Sequence, residues 1–210
     1  MADLAVARSE LVLGGQKSGK TRRAEALAAA WLAQSPAHEA VYIATAQAWD
    51  EEMRERIARH RRDRAGRMPR MRTVEEPLEV ARAIGRHGRK ETLVAVDCLT
   101  LWLTAMLMPA VDAGAPPPQP SPKGGGSKNE DSLPLWGRAG EEASLACAIA
   151  ACAGPIVLIS NEIGMGVVPL GRDVRQFVDA LGGLNQQAAA ACERVTLMSA
   201  GLAMTLKGFA

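Results

Sequence analysis

Five short apolar runs recur along the chain, with helical stretches between them. They are "ELVLGG" at residues 10–15, "AVYIATA" at 40–46, "TLVAVD" at 92–97, "PIVLIS" at 155–160 and "RVTLMSAG" at 194–201. Several are apolar at consecutive positions, as expected for strands covered by helices on both faces; a half-solvated strand would alternate. Segments 20–34, 50–64, 76–88, 140–153 and 172–192 carry helical signals. The alternation predicts an α/β fold, a three-layer domain with a mostly parallel central sheet.

One region breaks the pattern. From Pro109 to about Arg138 the chain reads "PAVDAGAPPPQPSPKGGGSKNEDSLPLWGR", where Pro, Gly, Ser and charge replace apolar periodicity. It reads as a flexible Pro/Gly-rich surface insertion, either a solvated loop or a docking segment for a partner. With 210 residues the chain suits a single domain over 1–210.

Composition narrows the function. There are 25 basic and 23 acidic residues, a formal net charge of +2, so nothing draws the whole molecule to nucleic acid or to an anionic membrane. Aromatics make up 3% of the chain, too few for a base-stacking platform. Cys98, Cys147, Cys152 and Cys192 form no CxxC pair and read as buried, reduced thiols. The opening "MADLAVARSELVLGG" lacks the regions of a signal peptide, and Gly154-Pro155 splits the longest apolar stretch, so a cytoplasmic protein without a membrane span is expected.

The strongest local signal is "LVLGGQKSGKT", which sets Gly14-x4-Gly19-Lys20-Thr21 directly after an apolar run and directly before a helical one. Such a P-loop turns its backbone N–H groups around phosphate oxygens at a helix N-terminus. Lys20 then reaches the β and γ phosphates, and the Thr21 hydroxyl can ligate Mg²⁺. Asp97 closes "TLVAVD", where a P-loop enzyme keeps a metal-associated carboxylate; an Asp there could also cap the next helix. These parts point to a nucleoside triphosphate and leave the acceptor open.

"RERIARHRRDR" at 54–64 sets His60 among arginines. With Asp50 as N-cap and Glu51 and Glu52 in the first turn, a helix places Met53, Ile57, His60 and Arg64 on one inward face. Arg56 and Arg61 flank that face, while Glu55, Arg59 and Arg62 fall opposite. His60 is then a semi-buried structural histidine or one set near bound phosphates, with arginines neutralising their oxygens. A nucleic-acid surface would need a broader, one-sided basic face.

Together these stretches resemble one family. "LVLGGQKSGKTRRAE", "YIATAQAWDEEMRERIARHRRDR", "RTVEEP", "LVAVDCLTLWLTAML" and "SNEIGMGVVPLGRDVRQFVDALGGLNQQAAAACERVTLMSAG" follow the order of the bifunctional adenosylcobinamide kinase/adenosylcobinamide-phosphate guanylyltransferases of adenosylcobalamin biosynthesis. The resemblance implies a P-loop NTPase-like domain using ATP or GTP and Mg²⁺, with adenosylcobinamide and adenosylcobinamide phosphate as acceptors; the balanced charge and split basic face already speak against a nucleic-acid partner. It implies that His60 is the GMP-histidine nucleophile and that the nucleotide contacts are Gly14, Gly15, Gln16, Lys17, Ser18, Gly19, Lys20 and Thr21, Ala44, Thr45 and Ala46, Arg61, Arg62, Asp63 and Arg64, Glu75 and Asp97. Thr21 and Asp97 would hold the metal, directly or through water. Asn161 and Glu162 are weaker candidates for substrate or metal contact, and a homotrimer is implied. The chain departs from the family in a longer stretch between Arg64 and Thr73, in Met71 where a tryptophan is usual, in Asp97 where some relatives have Glu, and in the insertion after Met108.

Overall fold

The computed structural model describes residues 4–48, 51–107 and 144–208. The Pro/Gly-rich segment at 109–138 and Asp50, the expected N-cap, lie outside the described residues.

The strands are β1 (Ser9–Gly14), β2 (Glu39–Ala44), β3 (Met71–Glu75), β4 (Thr92–Asp97), β5 (Ile156–Ile159), β6 (Arg194–Ser199) and β7 (Leu202–Lys207). They form one seven-stranded sheet in the order β3-β2-β4-β5-β1-β6-β7, parallel throughout except for the antiparallel β6–β7 pair. The helices are α1 (Lys20–Gln34), α2 (Glu51–Arg67), α3 (Val80–His87), α4 (Leu99–Leu107), α5 (Leu145–Ala151) and α6 (Arg172–Ala191).

The consecutive apolar residues of the inner strands divide between two cores. Leu11, Leu13, Val41, Ile43, Val94, Val96, Ile156 and Leu158 face one cluster, built with Ile84 of α3, Leu103 of α4, Ile149 of α5 and Leu184 of α6. Their neighbours Val12, Ala40, Tyr42, Leu93, Ala95, Val157 and Ile159 face a second cluster with Ala24, Leu27, Ala28 and Leu32 of α1. Strand alternation thus fills both faces of the sheet, and the three-layer α/β expectation holds.

Three elements differ from expectation for physical reasons. β3 is an edge strand, half-exposed and polar, so its sequence carries no apolar run. β7 pairs only with β6, and all but one of its residues are exposed. α4 is apolar nearly all round because it is buried, and its sequence runs straight on from β4 without amphipathic period. The extra length between Arg64 and Thr73 continues α2 to Arg67 and then turns, with Met68 and Met71 buried beside α1.

One cysteine also departs from expectation. Cys98, Cys152 and Cys192 are buried, whereas Cys147 is exposed on a face of α5 turned from the core. Burial pushes the Cys98 and Cys192 thiols up to about 12 and raises Cys152. A maleimide at pH 8 should therefore label Cys147 rapidly in the native protein, and all four cysteines only after unfolding. Peptide mass mapping reads the result; rapid native labelling of Cys98 or Cys192 would contradict the burial.

Candidate functional site

β1 ends in the loop Gly14 to Gly19, and α1 begins at Lys20. The loop turns through Gly14 at φ 148°, Lys17 at 57° and Gly19 at 106°. A Cβ at Gly14 would collide with the carbonyl oxygen of Met198 and approach Ser18 Oγ at 2.6 Å, so glycine there reflects lack of space as well as backbone freedom. Lys20 is buried under the loop, and its Nζ donates to the carbonyls of Gly14 at 2.9 Å and Gly15 at 2.6 Å. Burial lowers the Lys20 pKa, and the charge of Asp97 opposes that shift.

Parallel pairing carries Asp97 to the same end of the sheet. It lies beside Ile159 of β5, which lies beside Val12 of β1. Asp97 Oδ2 accepts a hydrogen bond from Thr21 Oγ1 at 2.9 Å and another from the Tyr42 hydroxyl. Burial, reinforced by the charge of Asp97, raises the Tyr42 pKa well above the usual phenol value, so the phenol stays a proton donor. Of the two readings of Asp97, helix capping and a carboxylate beside the P-loop Thr, the structure brings about the second contact.

α2 flanks this end and is held chiefly by its charged C-terminal half. Arg64 is its only buried residue among the described side chains. The Arg64 guanidinium lies 3.6 Å from the centroid of the Tyr42 ring, and its Nε donates to Thr73 Oγ1 at 3.3 Å. Arg67 makes two 2.9 Å hydrogen bonds to Glu25 of α1, and Arg61 sits 2.5 Å from Glu75 of β3.

The loop, the strand ends and α2 border an open cavity of about 1760 Å³, above the roughly 300–1,000 Å³ of most small-ligand pockets. It has room for a nucleotide and part of a second substrate. Gly15, Gln16, Lys17, Ser18, Gly19, Lys20 and Thr21 line it, together with Ala44, Ala46, His60, Arg61, Arg64, Glu75, Asp97, Asn161 and Glu162. Gly14 lies behind them as the carbonyl partner of Lys20.

Other sequence candidates fall elsewhere. Thr45 is fully buried, and its hydroxyl exchanges 2.8 Å hydrogen bonds with the backbone of Cys98 instead of facing the cavity. Arg62 and Asp63 are exposed and do not line the cavity. Two placements need correction. His60 lines the cavity but is exposed, not semi-buried, and Glu55 and Arg59, assigned to the far face of α2, also line it. The helix stands against the body mainly near its end, so the cavity wraps a wider arc of α2 than a packed stripe would allow.

Sequence reasoning missed Tyr42 and the β6–β7 turn, where Ala200 and Gly201 line the cavity. Tyr42 did leave a signal. It is the single tyrosine of the chain, set in an otherwise apolar strand, where its hydroxyl needs a partner.

Among the described residues no group of three or more His, Cys, Asp or Glu could hold a metal ion. Thr21 and Asp97 nonetheless offer hard oxygen donors 2.9 Å apart beside the phosphate loop. That fits Mg²⁺, which binds through one or two protein oxygens plus phosphates and water. Gly14→Ala should weaken binding of a non-hydrolysable GTP analogue by about tenfold or more by displacing the loop. Titration calorimetry measures this, and wild-type affinity would show that the loop does not need its present course.

The comparisons with known proteins agree over nearly the whole chain. The family model described as cobinamide kinase / cobinamide phosphate guanyltransferase matches residues 10–206. The bifunctional adenosylcobalamin biosynthesis protein CobP of Pseudomonas aeruginosa is 44% identical over 200 residues, covering 95% of this chain and 97% of that protein. The bifunctional adenosylcobalamin biosynthesis protein CobU of Escherichia coli is 35% identical over 203 residues, covering 94% and 98%. Its counterpart in Salmonella typhimurium is 32% identical over 197 residues, with the same coverage. The chain belongs to the cobinamide kinase / cobinamide phosphate guanyltransferase family.

Proposed function

We propose that the cavity carries both reactions of the family, kinase and guanylyltransferase, with the P-loop and His60 serving one shared phosphate-binding space. The observation that carries this reading is the presence of Lys20, Thr21, Asp97 and His60 around a single cavity. A kinase without guanylyl transfer is not favoured, since the matching family joins the two activities.

In the kinase step, the terminal hydroxyl oxygen of adenosylcobinamide attacks the γ-phosphorus of ATP or GTP. The bond from phosphorus to the β–γ bridging oxygen breaks, the nucleoside diphosphate leaves, and the hydroxyl proton goes to solvent. The backbone N–H groups of residues 15–19 and the Lys20 ammonium hold the phosphate oxygens, which requires Lys20 to exchange its loop carbonyls for phosphate. Thr21 and Asp97 would hold Mg²⁺, directly or through water, and the ion supplies neutralisation of phosphate charge.

In guanylyl transfer, a ring nitrogen of His60 attacks the α-phosphorus of GTP, the bond to the α–β bridging oxygen breaks, and pyrophosphate leaves. A phosphate oxygen of adenosylcobinamide phosphate then attacks that phosphorus. The P–N bond breaks, giving adenosylcobinamide-GDP and free His60. Division into two displacements lets one face of the cavity serve two phosphate-bearing substrates in turn. Arg61, beside His60 and half-exposed at the cavity, is placed to neutralise oxygens as charge moves.

We also read the protein as cytoplasmic, where its nucleotide substrates are found; no described helix is long and apolar enough to cross a membrane. The homotrimer implied by resemblance is supported by apolar side chains left in water, among them Val167 at 96% and Leu170 at 99% exposure. Multi-angle light scattering should give three times the chain mass; a monomer at micromolar concentration would rule the trimer out.

His60→Ala should abolish the acid-labile adduct formed with α-labelled GTP while leaving ATP-dependent phosphorylation of adenosylcobinamide measurable. The wild-type adduct should lose its label when chased with adenosylcobinamide phosphate. An adduct on His60→Ala would refute the assignment.

A further inference from the structure

The arginines of α2 do not all find the same kind of partner. Among the described residues Arg54, Arg61 and Arg67 make ion pairs with Glu51, Glu75 and Glu25. Arg64 instead rests on the Tyr42 ring and the Thr73 hydroxyl, and it is 5% exposed. A guanidinium removed from water onto an aromatic face is a strong and directional contact. Arg64 stands four residues after His60, so the two share a face of the helix about one turn apart. Whatever fixes Arg64 therefore acts, with the Arg61–Glu75 and Arg67–Glu25 pairs, on the rotation at which α2 presents His60.

Tyr42 is itself fixed at its far end. Its hydroxyl donates to Asp97 Oδ2, the oxygen that also accepts from Thr21 at the start of α1. The ring belongs to the buried cluster under α1, so it cannot follow α2 if the helix turns. A path of direct contacts thus joins the P-loop end of the sheet to the helix that carries His60.

We propose that Tyr42 is a positioning residue for guanylyl transfer: its ring, held in the buried cluster under α1, seats Arg64 and so helps set the rotation of α2 that presents His60 to the cavity. The proposal rests on the reading of His60 as the residue that takes GMP. Tyr42 need not touch the nucleotide. It acts through Arg64, and its removal should slow attack on bound GTP without weakening GTP binding.

The test is the single-turnover rate of adduct formation from α-labelled GTP, measured against GTP concentration. Tyr42→Phe keeps the ring and should retain the rate at saturating GTP to within about threefold, whereas Tyr42→Leu should lose about tenfold or more with half-saturating GTP little changed. Arg64→Met should lose as much as Tyr42→Leu, and the double variant no more than either, because the two residues act as one unit. Hydrogen exchange of amides 57–67 should quicken in Tyr42→Leu, with the amides of β1 and β4 unaffected.

A wild-type rate in Tyr42→Leu would overturn the proposal. So would a multiplied loss in the double variant, an equal loss in Tyr42→Phe, or a raised half-saturating GTP in Arg64→Met, which would place Arg64 on the phosphates. Should Tyr42→Leu fail to fold, Arg64→Met slow against Tyr42→Phe retained still decides the matter. His60→Ala separates the two levels: an adduct there refutes the His60 assignment, whereas no adduct there together with a full rate in Tyr42→Leu refutes the Tyr42 proposal alone.

Discussion

The arrangement of the site depends on one carboxylate oxygen. Asp97 Oδ2 accepts from Thr21 and from Tyr42, and so links the last residue of β4 to the start of α1 and to the middle of β2. Parallel pairing makes this link possible, because it brings the C-terminal ends of β1, β2 and β4 to one edge of the sheet. In the low-dielectric setting beside buried strands, an acceptor shared by two hydroxyls holds its partners more firmly than it would in water. The phosphate loop, the carboxylate and the strand facing α2 are thereby joined by direct hydrogen bonds.

Beside these linked elements, the helix bearing His60 is attached by different means. The core helices bury leucines and isoleucines, whereas α2 buries only an arginine among its described side chains, and its contacts with the body include the Arg61–Glu75 and Arg67–Glu25 ion pairs and Arg64 on the Tyr42 ring. Hydrophobic burial is non-directional, whereas a bidentate arginine–carboxylate pair and a guanidinium on a ring fix orientation. In the proposed role, an exposed His60 on a helix held by directional contacts keeps its aim without being enclosed. Such openness suits the proposed sequence, in which His60 meets GTP first and a bulky second substrate afterwards.

The inner strands and the helices around them were legible because their sequences obey a period. β1, β2, β4, β5 and β6 stand out as apolar runs, and α1, α2 and α6 fall within a few residues of expectation. β3 and β7 were not legible, since an edge strand half in water has no apolar run to display. α4 was hidden for the opposite reason, being apolar on every side and continuous with β4. At the site, the phosphate loop and Asp97 could be read because loop chemistry is local in sequence. Tyr42 could not be assigned a role, because its partners Thr21, Arg64 and Asp97 are brought to it only by the sheet. The same limit explains Thr45. Its position after β2 resembles a ligand position, yet the fold spends its hydroxyl on the backbone of Cys98.

The ion pair between Arg61 and Glu75 adds a constraint on the order of events. Both residues line the cavity, both are about half exposed, and they lie 2.5 Å apart. An exposed pair of this kind contributes only about 0–1 kcal/mol, so a phosphate or ribose group that offers either partner a better contact can separate it. Lys20 is likewise engaged with its own loop carbonyls, and burial already disfavours its charged form. An incoming polyphosphate relieves that condition by supplying negative charge. On the proposed reading, nucleotide binding would replace these internal contacts with charged ones, while the Asp97 link and the Arg64 seat need not break. The exchangeable Arg61–Glu75 pair is thus half in water, whereas Arg64 on the Tyr42 ring, which the proposal assigns to aiming His60, is buried.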